Sequence, residues 1–405
     1  MSKLEELIQK LCPNGVEYTE IGTVCEVLTG GEAPEDSIKS KKPQGEYIYP
    51  IFSNGLGDNA IWGFSKTFRV SKIAVTFSSI GTIGYPTIRD KFFTPIIRLK
   101  TLIPFDDKIL SVRFLKYILE TVTFEEQKSS VPNINSNIIK AIKIPIPPIE
   151  VQEEIVRILD KFTELTAELT AELTARKKQY EFYRYSLLNF ENIDKSNLTN
   201  HITTLISKLC PNGVEYKKLG EVCKRQKGIA ITAGEMKKLD KPCAPIRIFA
   251  AGNTTASVNY GDIPNSSVIT KPSIIVKSRG NIGFEYYTNP FTHKNEMWSY
   301  SVKCELVNVK FVYYFLQNHI DEFQAKAKNG KLPQISISDT DDYMIPVPPI
   351  EVQEEIVRIL DKFYKLCNDI SEGLPAEIAA RQKQYEYYRD KLLSFDNVAA
   401  AEKTA

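Results

Sequence analysis

The chain has 405 residues, 42% of them hydrophobic and 25% charged, with a formal net charge of +2. That is the composition of a globular protein with room for two or three domains, and it excludes a largely disordered chain. Near-neutrality means that a polyanion partner would have to be met by local basic patches rather than by the field of the whole molecule.

No run of about 18 apolar residues marks a membrane helix, and the start, MSKLEELIQKLCPNG, lacks the apolar core of a signal peptide, so a cytoplasmic protein is expected. Of the seven cysteines, Cys12 and Cys25 recur as Cys210 and Cys223, and none forms a CxxC pair. With only His201, His293 and His319 beside them, no zinc-type ligand spacing can be assembled, and reduced structural cysteines are expected.

Taken in order, the chain repeats itself. Lys10 to Tyr18 (KLCPNGVEY) returns as Lys208 to Tyr216, and Gly22 and Cys25 return as Gly220 and Cys223. The two centres, roughly 19–143 and 217–344, mix short β-rich runs with Gly, Pro and Asn punctuation and one or two helical patterns, which reads as α+β. Landmarks keep their spacing there: Gly81-Thr82-Ile83-Gly84 matches Gly280-Asn281-Ile282-Gly283, Ser111 to Phe114 matches Asn308 to Phe311, and Pro132 matches Pro333. Each GxIG follows a strand-like run, Lys72 to Phe77 or Ser273 to Lys277, and the stretches from Phe114 and Phe311 read as helices.

The longest repeat is PPIEVQEEIVRILDKF, which occupies Pro147 to Phe162 and, unchanged, Pro348 to Phe363. Two prolines open a helix whose apolar residues step by four and three: Val151, Ile155, Ile158, Phe162 and Leu165, then Val352, Ile356, Ile359, Phe363 and Leu366. This is the seam of a helix that packs on another helix, and a chain with two such seams can pair them. From Thr163 the first runs TELTAELTAELTA, so that Leu165, Leu169 and Leu173 lie four apart, a stutter in the heptad. Each TAEL unit lengthens a helix by about 6 Å and turns its face by about 40°. Tyr180, Tyr183 and Leu187 are matched further on by Tyr385, Tyr388 and Leu392, but between the landmarks the second copy carries Gly373 and Pro375. That predicts a break into two helices, 349–372 and 375–395. The polar, aperiodic stretch 189–204 reads as a linker.

Two diverged centres alternating with two repeated helices, the PPIEVQEEIVRILDKF openings, the QYEFYR and QYEYYR endings (Gln179 to Arg184, Gln384 to Arg389) and the TAEL tract resemble the specificity subunit of a Type I restriction-modification enzyme of the EcoR124-like subclass. The resemblance covers nearly the whole chain. It implies an α+β protein of two similar target recognition domains separated by two long antiparallel coiled-coil helices in a pseudo-two-fold repeat. The implied boundaries are recognition domains at 1–146 and 205–347, spacer helices at 147–190 and 348–396, a linker at 191–204 and a tail at 397–405. Each recognition domain would bind one half of a bipartite asymmetric site on double-stranded DNA, and the helices would set the gap between halves. The implied partners are two modification subunits, which bind S-adenosylmethionine and methylate adenine, and two restriction subunits, which use ATP and Mg for translocation and cleavage. The chain itself would be non-catalytic and without a cofactor, in a bacterial cytoplasm.

The sequence shows no GxxxxGK[ST], HExxH or GxGxxG motif. Its nearest approach to an adenine-methyltransferase tetrad, Asn289-Pro290-Phe291, lacks the second proline and reads as a turn. Candidate DNA contacts are basic clusters beside Gly or Pro: Lys39, Lys41 and Lys42; Lys224, Arg225 and Lys227; Lys326, Lys328 and Lys331. A solvated surface accounts for any one of them equally well. The GxIG loops either permit a tight strand turn or approach phosphates closely, with Lys277, Ser278, Arg279 and Asn281 at one and Ser78 and Ser79 at the other. For base readout the expectation falls on two polar loops in matching places, Lys128, Ser129, Ser130 and Asn133, and Asn329, Gly330, Lys331 and Gln334.

Overall fold

The structure is a computed structural model that describes residues 2–79, 84–122, 134–190, 200–327 and 332–395. It divides into two compact units, 1–170 with 377–405, and 171–376.

Each unit is built on an antiparallel four-stranded sheet with the same strand order. In the first unit Cys25–Thr29 lies beside Lys100–Pro104, then Ala74–Ser78, then Gly84–Arg89. In the second the order is Cys223–Lys227, Trp298–Val302, Ser273–Lys277, Gly283–Tyr287. The first sheet's inner strands Ala74–Ser78 and Lys100–Pro104 are buried at every residue, with the polar Thr76, Ser78, Lys100 and Thr101 among them. A second sheet follows the same plan with different membership, four-stranded in the first unit (Ser37–Ile38, Ile61–Ser65, Tyr49–Phe52, Thr94–Pro95) and three-stranded in the second (Thr255–Val258, Ile246–Phe249, Phe291–His293).

The repeated ends of the sequence meet. Tyr18–Glu20 pairs with Lys143–Pro145, and Tyr216–Lys218 with Met344–Pro346, so each KLCPNGVEY segment closes on the strand that feeds a PPIEVQ helix. The helix then docks on its own globule through two polar anchors. Gln152 is wholly buried, donates to the carbonyls of Ile109 (2.7 Å) and Pro147 (2.8 Å), and accepts from the Ser111 amide (2.9 Å). Gln353 repeats all three bonds with Leu306 (3.0 Å), Pro348 (2.6 Å) and Asn308 (2.8 Å). About two turns later Asp160 accepts from the Tyr117 hydroxyl (2.7 Å), and Asp361 from that of Tyr314 (2.5 Å). Both tyrosines stand on the helices Val112–Thr121 and Val309–Asn318 that cover the sheets.

This changes the reading of the seam. Val151, Ile155 and Leu159 are fully buried in the globule core with Val75, Leu102, Phe114 and Ile118, as are Val352, Ile356 and Leu360 with Ile274, Tyr300, Phe311 and Phe315. Burying each such side chain is worth about 1.5–3 kcal/mol, so the opening turns are held chiefly by the globule. Helix-to-helix packing falls to the neighbouring face. Within the first unit Phe162 stacks on Tyr388 (centroids 5.4 Å apart), and Leu393 reaches the cluster of Val151 and Ile155. Within the second, Phe363 stacks on Tyr183 (5.2 Å), and Leu187 reaches that of Val352 and Ile356. In both units the partner segment runs antiparallel. Leu165 (45% exposed) and Leu366 (37%) lie outside either core, and Leu169 and Leu173 are half-buried, because four-residue spacing turns them off the contact line.

The first repeated helix runs unbroken from Ile149 to Leu188, while the second is two helices, Ile350–Asn368 and Leu374–Leu392. Its break comes earlier than the Gly-Pro pair predicts. Asp369 is the C-cap, and its carboxylate accepts from the amides of Ser371 (2.7 Å) and Glu372 (3.2 Å), folding the turn before Gly373 is reached.

Candidate nucleic-acid interface

At one edge of each unit, loops far apart in sequence are tied together by the same bonds. The first tie joins the hairpin of the four-stranded sheet to the segment after the polar loop: the Ile134 amide donates to Ser79 O (3.1 Å), and that of Ile335 to Ser278 O (3.0 Å). The second joins the hairpin to a further turn: Ser79 Oγ donates to the Arg98 carbonyl (2.8 Å), and Ser278 Oγ to that of Glu296 (2.5 Å). A third brings in the end of the first sheet strand. Gly30 lies so close to the Ile96 backbone that a Cβ there would sit 2.7 Å from the Ile96 carbonyl oxygen, and Gly228 likewise 2.3 Å from that of His293. A side chain at either position would push the turn away. The sequence comparison paired the GxIG loops but not these glycines, whose flanks share little.

In the second unit this edge presents Arg279, which donates to Gln334 Oε1 from Nε (3.2 Å) and Nη2 (2.9 Å), with Asn281 exposed in the same loop. Two of the sequence candidates 55 residues apart are thus brought together. Gly280 has φ +78 and spends its amide on Pro333 O (2.9 Å), a turn role for this GxIG loop; Gly81, Thr82 and Ile83 of the other lie outside the described residues. Lys277 is neutralised by Glu285 at 2.9 Å.

Other candidates are placed differently. Ser78 and Ser79 are buried, and Ser79 holds the loop scaffold, so neither is presented outward. Lys41 spends its ammonium on the carbonyls of Asp58 (3.0 Å) and Ile61 (2.8 Å), leaving Lys39 and Lys42 exposed beside it. Arg225 pairs with Asp341 at 3.3 Å between exposed Lys224 and Lys227. Lys326 lies over the rings of Tyr343 and Phe323 in a cleft of about 790 Å³ that it shares with Asp321, Glu322, Asp339 and Asp342, surroundings that repel phosphate. Lys128, Ser129, Ser130, Asn133, Lys328 and Lys331 lie outside the described residues.

The first unit's edge holds residues that carry no sequence signature. Ile97 and Arg98 have φ +53 and +58, and Tyr85 has φ +57; all three are exposed. Behind them Lys100 is buried against Thr29 Oγ1 (3.0 Å) and Ser136 Oγ (2.9 Å), and burial, then the Arg98 charge, lowers its pKa.

Chemistry-bearing groups elsewhere are internal. The Cys25 and Cys223 thiols are pushed up to about 12 by burial, which keeps them protonated and inert. Phe291 is fully buried, so Asn289-Pro290-Phe291 is a bend entering a strand. Among the described residues no group of three or more His, Cys, Asp or Glu is placed to hold a metal ion, and no helix is long and apolar enough to cross a membrane.

Comparison with known proteins supplies the context. A family model described as "Type I restriction modification DNA specificity domain" matches twice, at residues 13–176 and 211–380. The Escherichia coli Type I restriction enzyme EcoR124I/EcoR124II specificity subunit is 31% identical over 98% of this chain and 97% of its own length. The MpnII specificity subunit of Mycoplasma pneumoniae is 28% identical over 68% of this chain and 96% of its own. Among solved structures, a Type I restriction-modification S subunit from M. genitalium superposes with a TM-score of 0.58 at 19% identity, covering 94% of this chain and 96% of that one.

Proposed function

Because the chain belongs to the Type I restriction-modification DNA specificity family, and is the specificity rather than the catalytic subunit of such a system, we propose that each unit binds one half of a bipartite, asymmetric DNA site. The observation that carries this reading is the pair of equivalent loop edges, built by the same bonds on Ser79 and Ser278 but furnished with different outward side chains. Two readers of one construction and unlike surface suit two different half-sites.

In this reading the repeated helices set the number of untouched base pairs between the halves. Their exposed faces receive two modification subunits, which supply S-adenosylmethionine and methylate adenine. Two restriction subunits then join through the complex with ATP and Mg, in a bacterial cytoplasm. A cleft of about 620 Å³, lined by Tyr183, Leu187, Ile359, Phe363 and Leu366 together with the charged Arg176, Glu355, Arg358 and Lys362, supports docking on the helices.

The test is to insert one further TAEL unit after Leu173 and sequence the methylome of a host carrying the complete system. The recognised gap should lengthen, since one unit adds about 6 Å against base steps of about 3.4 Å, with both half-sites unchanged. New half-site bases with the old gap would refute the ruler. Methyl transfer by the purified chain alone, incubated with DNA and labelled S-adenosylmethionine, would refute the assignment of catalysis to its partners.

A further inference from the structure

The turn at Ile97 and Arg98 is held in a conformation that its residues resist. A β-branched side chain at positive φ is a genuine outlier, and two successive non-glycine residues there are rarer still. Such strain persists only where the surroundings over-determine it. Here all four backbone polar groups of the pair are fixed by distant partners. The Ile97 amide donates to Gly31 O (2.8 Å) and its carbonyl accepts from Asn54 Nδ2 (2.6 Å). The Arg98 amide donates to Gly30 O (2.9 Å) and its carbonyl accepts from Ser79 Oγ (2.8 Å).

Packing does not account for the strain. The flanking Ile96 and Leu99 are buried, yet Ile97 is 51% exposed, and the Arg98 guanidinium has no partner among the described residues. The fold holds a strained pair rigid in order to point an apolar and a cationic side chain outward. At the matching turn of the second unit Asn295 and Glu296 have no positive φ, and Glu296 is neutralised by Lys294 at 3.1 Å.

We propose that Ile97 and Arg98 are specificity-determining residues of the first unit, Arg98 donating to the O6 and N7 edge of a guanine in the major groove and Ile97 packing on the adjacent base. This rests on the half-site reading above. A planar fork on a rigid turn is the geometry that bidentate guanine contact requires, and a mobile loop would not deliver it.

The experiment is methylome sequencing of a host carrying the complete system with the wild-type chain, Arg98→Ala, Ile97→Gly or Arg279→Ala. Arg98→Ala should lose roughly 10- to 100-fold discrimination at one base pair of one half-site, with the gap and the other half unchanged. Ile97→Gly relieves the strain, so the free chain should melt at a higher temperature while discrimination at the same or the adjacent base pair weakens. Arg279→Ala should affect only the opposite half-site. The proposal is overturned if Arg98→Ala weakens methylation of all sites equally, as a phosphate contact would, or relaxes the same half as Arg279→Ala. An unaltered motif with Ile97→Gly removes Ile97 from the assignment. A wild-type motif that is not bipartite removes the half-site reading itself, and this inference with it.

Discussion

Between the two units, what stays the same and what changes divide along one line. Side chains that shape the backbone from inside recur in kind and in bond: Gln152 and Gln353, Ser79 and Ser278, Tyr117 with Asp160 and Tyr314 with Asp361. Side chains that point outward from the same turns do not, and Arg98 stands where the second unit has Glu296. The scaffold is thus a frame whose internal bonds tolerate opposite charges on its rim, so that one construction can carry two unlike surfaces, as the proposed half-site reading requires.

The harshest test of that shared frame is removal of the buried glutamine. Gln152→Ala would leave the buried Pro147 carbonyl and the part-buried Ser111 amide and Ile109 carbonyl without their partner and empty the site of a buried side chain; an unsatisfied buried group costs about 1–3 kcal/mol. We expect a loss of about 3–5 kcal/mol in the first unit, and the same in the second from Gln353→Ala, read as a displaced transition in denaturant melts of the full chain. A near-neutral result for one variant alone would break the equivalence of the two anchors.

The anchors also show how far the sequence could be read. The identical PPIEVQ phrases marked both helices and their start, and the QYEFYR and QYEYYR endings marked the partner segments. What periodicity could not show is that Val151, Ile155 and Leu159 serve the globule while Phe162 serves another helix, because apolar steps of four and three look the same with one partner or with two. The strained turn was illegible for a different reason. Positive φ at Ile97 and Arg98 is imposed by Gly30, Gly31, Asn54 and Ser79, four residues scattered over 50 positions, and no local preference encodes it. Ser79 was visible as polar and near a glycine loop, but whether a serine faces out or braces a turn is decided by tertiary contact.

A second test bears on how the first unit fastens its opening helix. Glu154 is buried, pairs with Arg157 at 2.6 Å and Lys3 at 3.0 Å, and the Arg157 hydrogen bond holds its carboxyl down at about 2. A carboxylate with a depressed folded pKa stabilises above its unfolded pKa of about 4.3, and that stabilisation is lost as pH falls through about 2. Glu154→Gln should therefore cost about 1–3 kcal/mol at pH 7 and progressively less between pH 4 and pH 2, in denaturant melts at each pH. A pH-independent difference would show that Glu154 acts by packing rather than by charge.

The finest comparison concerns the helix pairs. Phe162 on Tyr388 and Phe363 on Tyr183 have nearly the same geometry, with interplanar angles of 25° and 28°. Offset aromatic pairs are worth about 0.5–1.5 kcal/mol beyond their buried area. Double-mutant cycles to alanine should therefore return coupling energies of that size in both units, equal to within about 0.5 kcal/mol. The cycles matter because a single alanine at Phe162 or Phe363 removes contact area as well as the ring pair, and only the coupling term isolates the helix-to-helix contact. Equal couplings would mean that each repeated helix meets its partner segment in the same way even though one helix is continuous and the other is broken at Asp369. Coupling in one unit alone would mean that the break has freed one pair of helices from the constraint that holds the other.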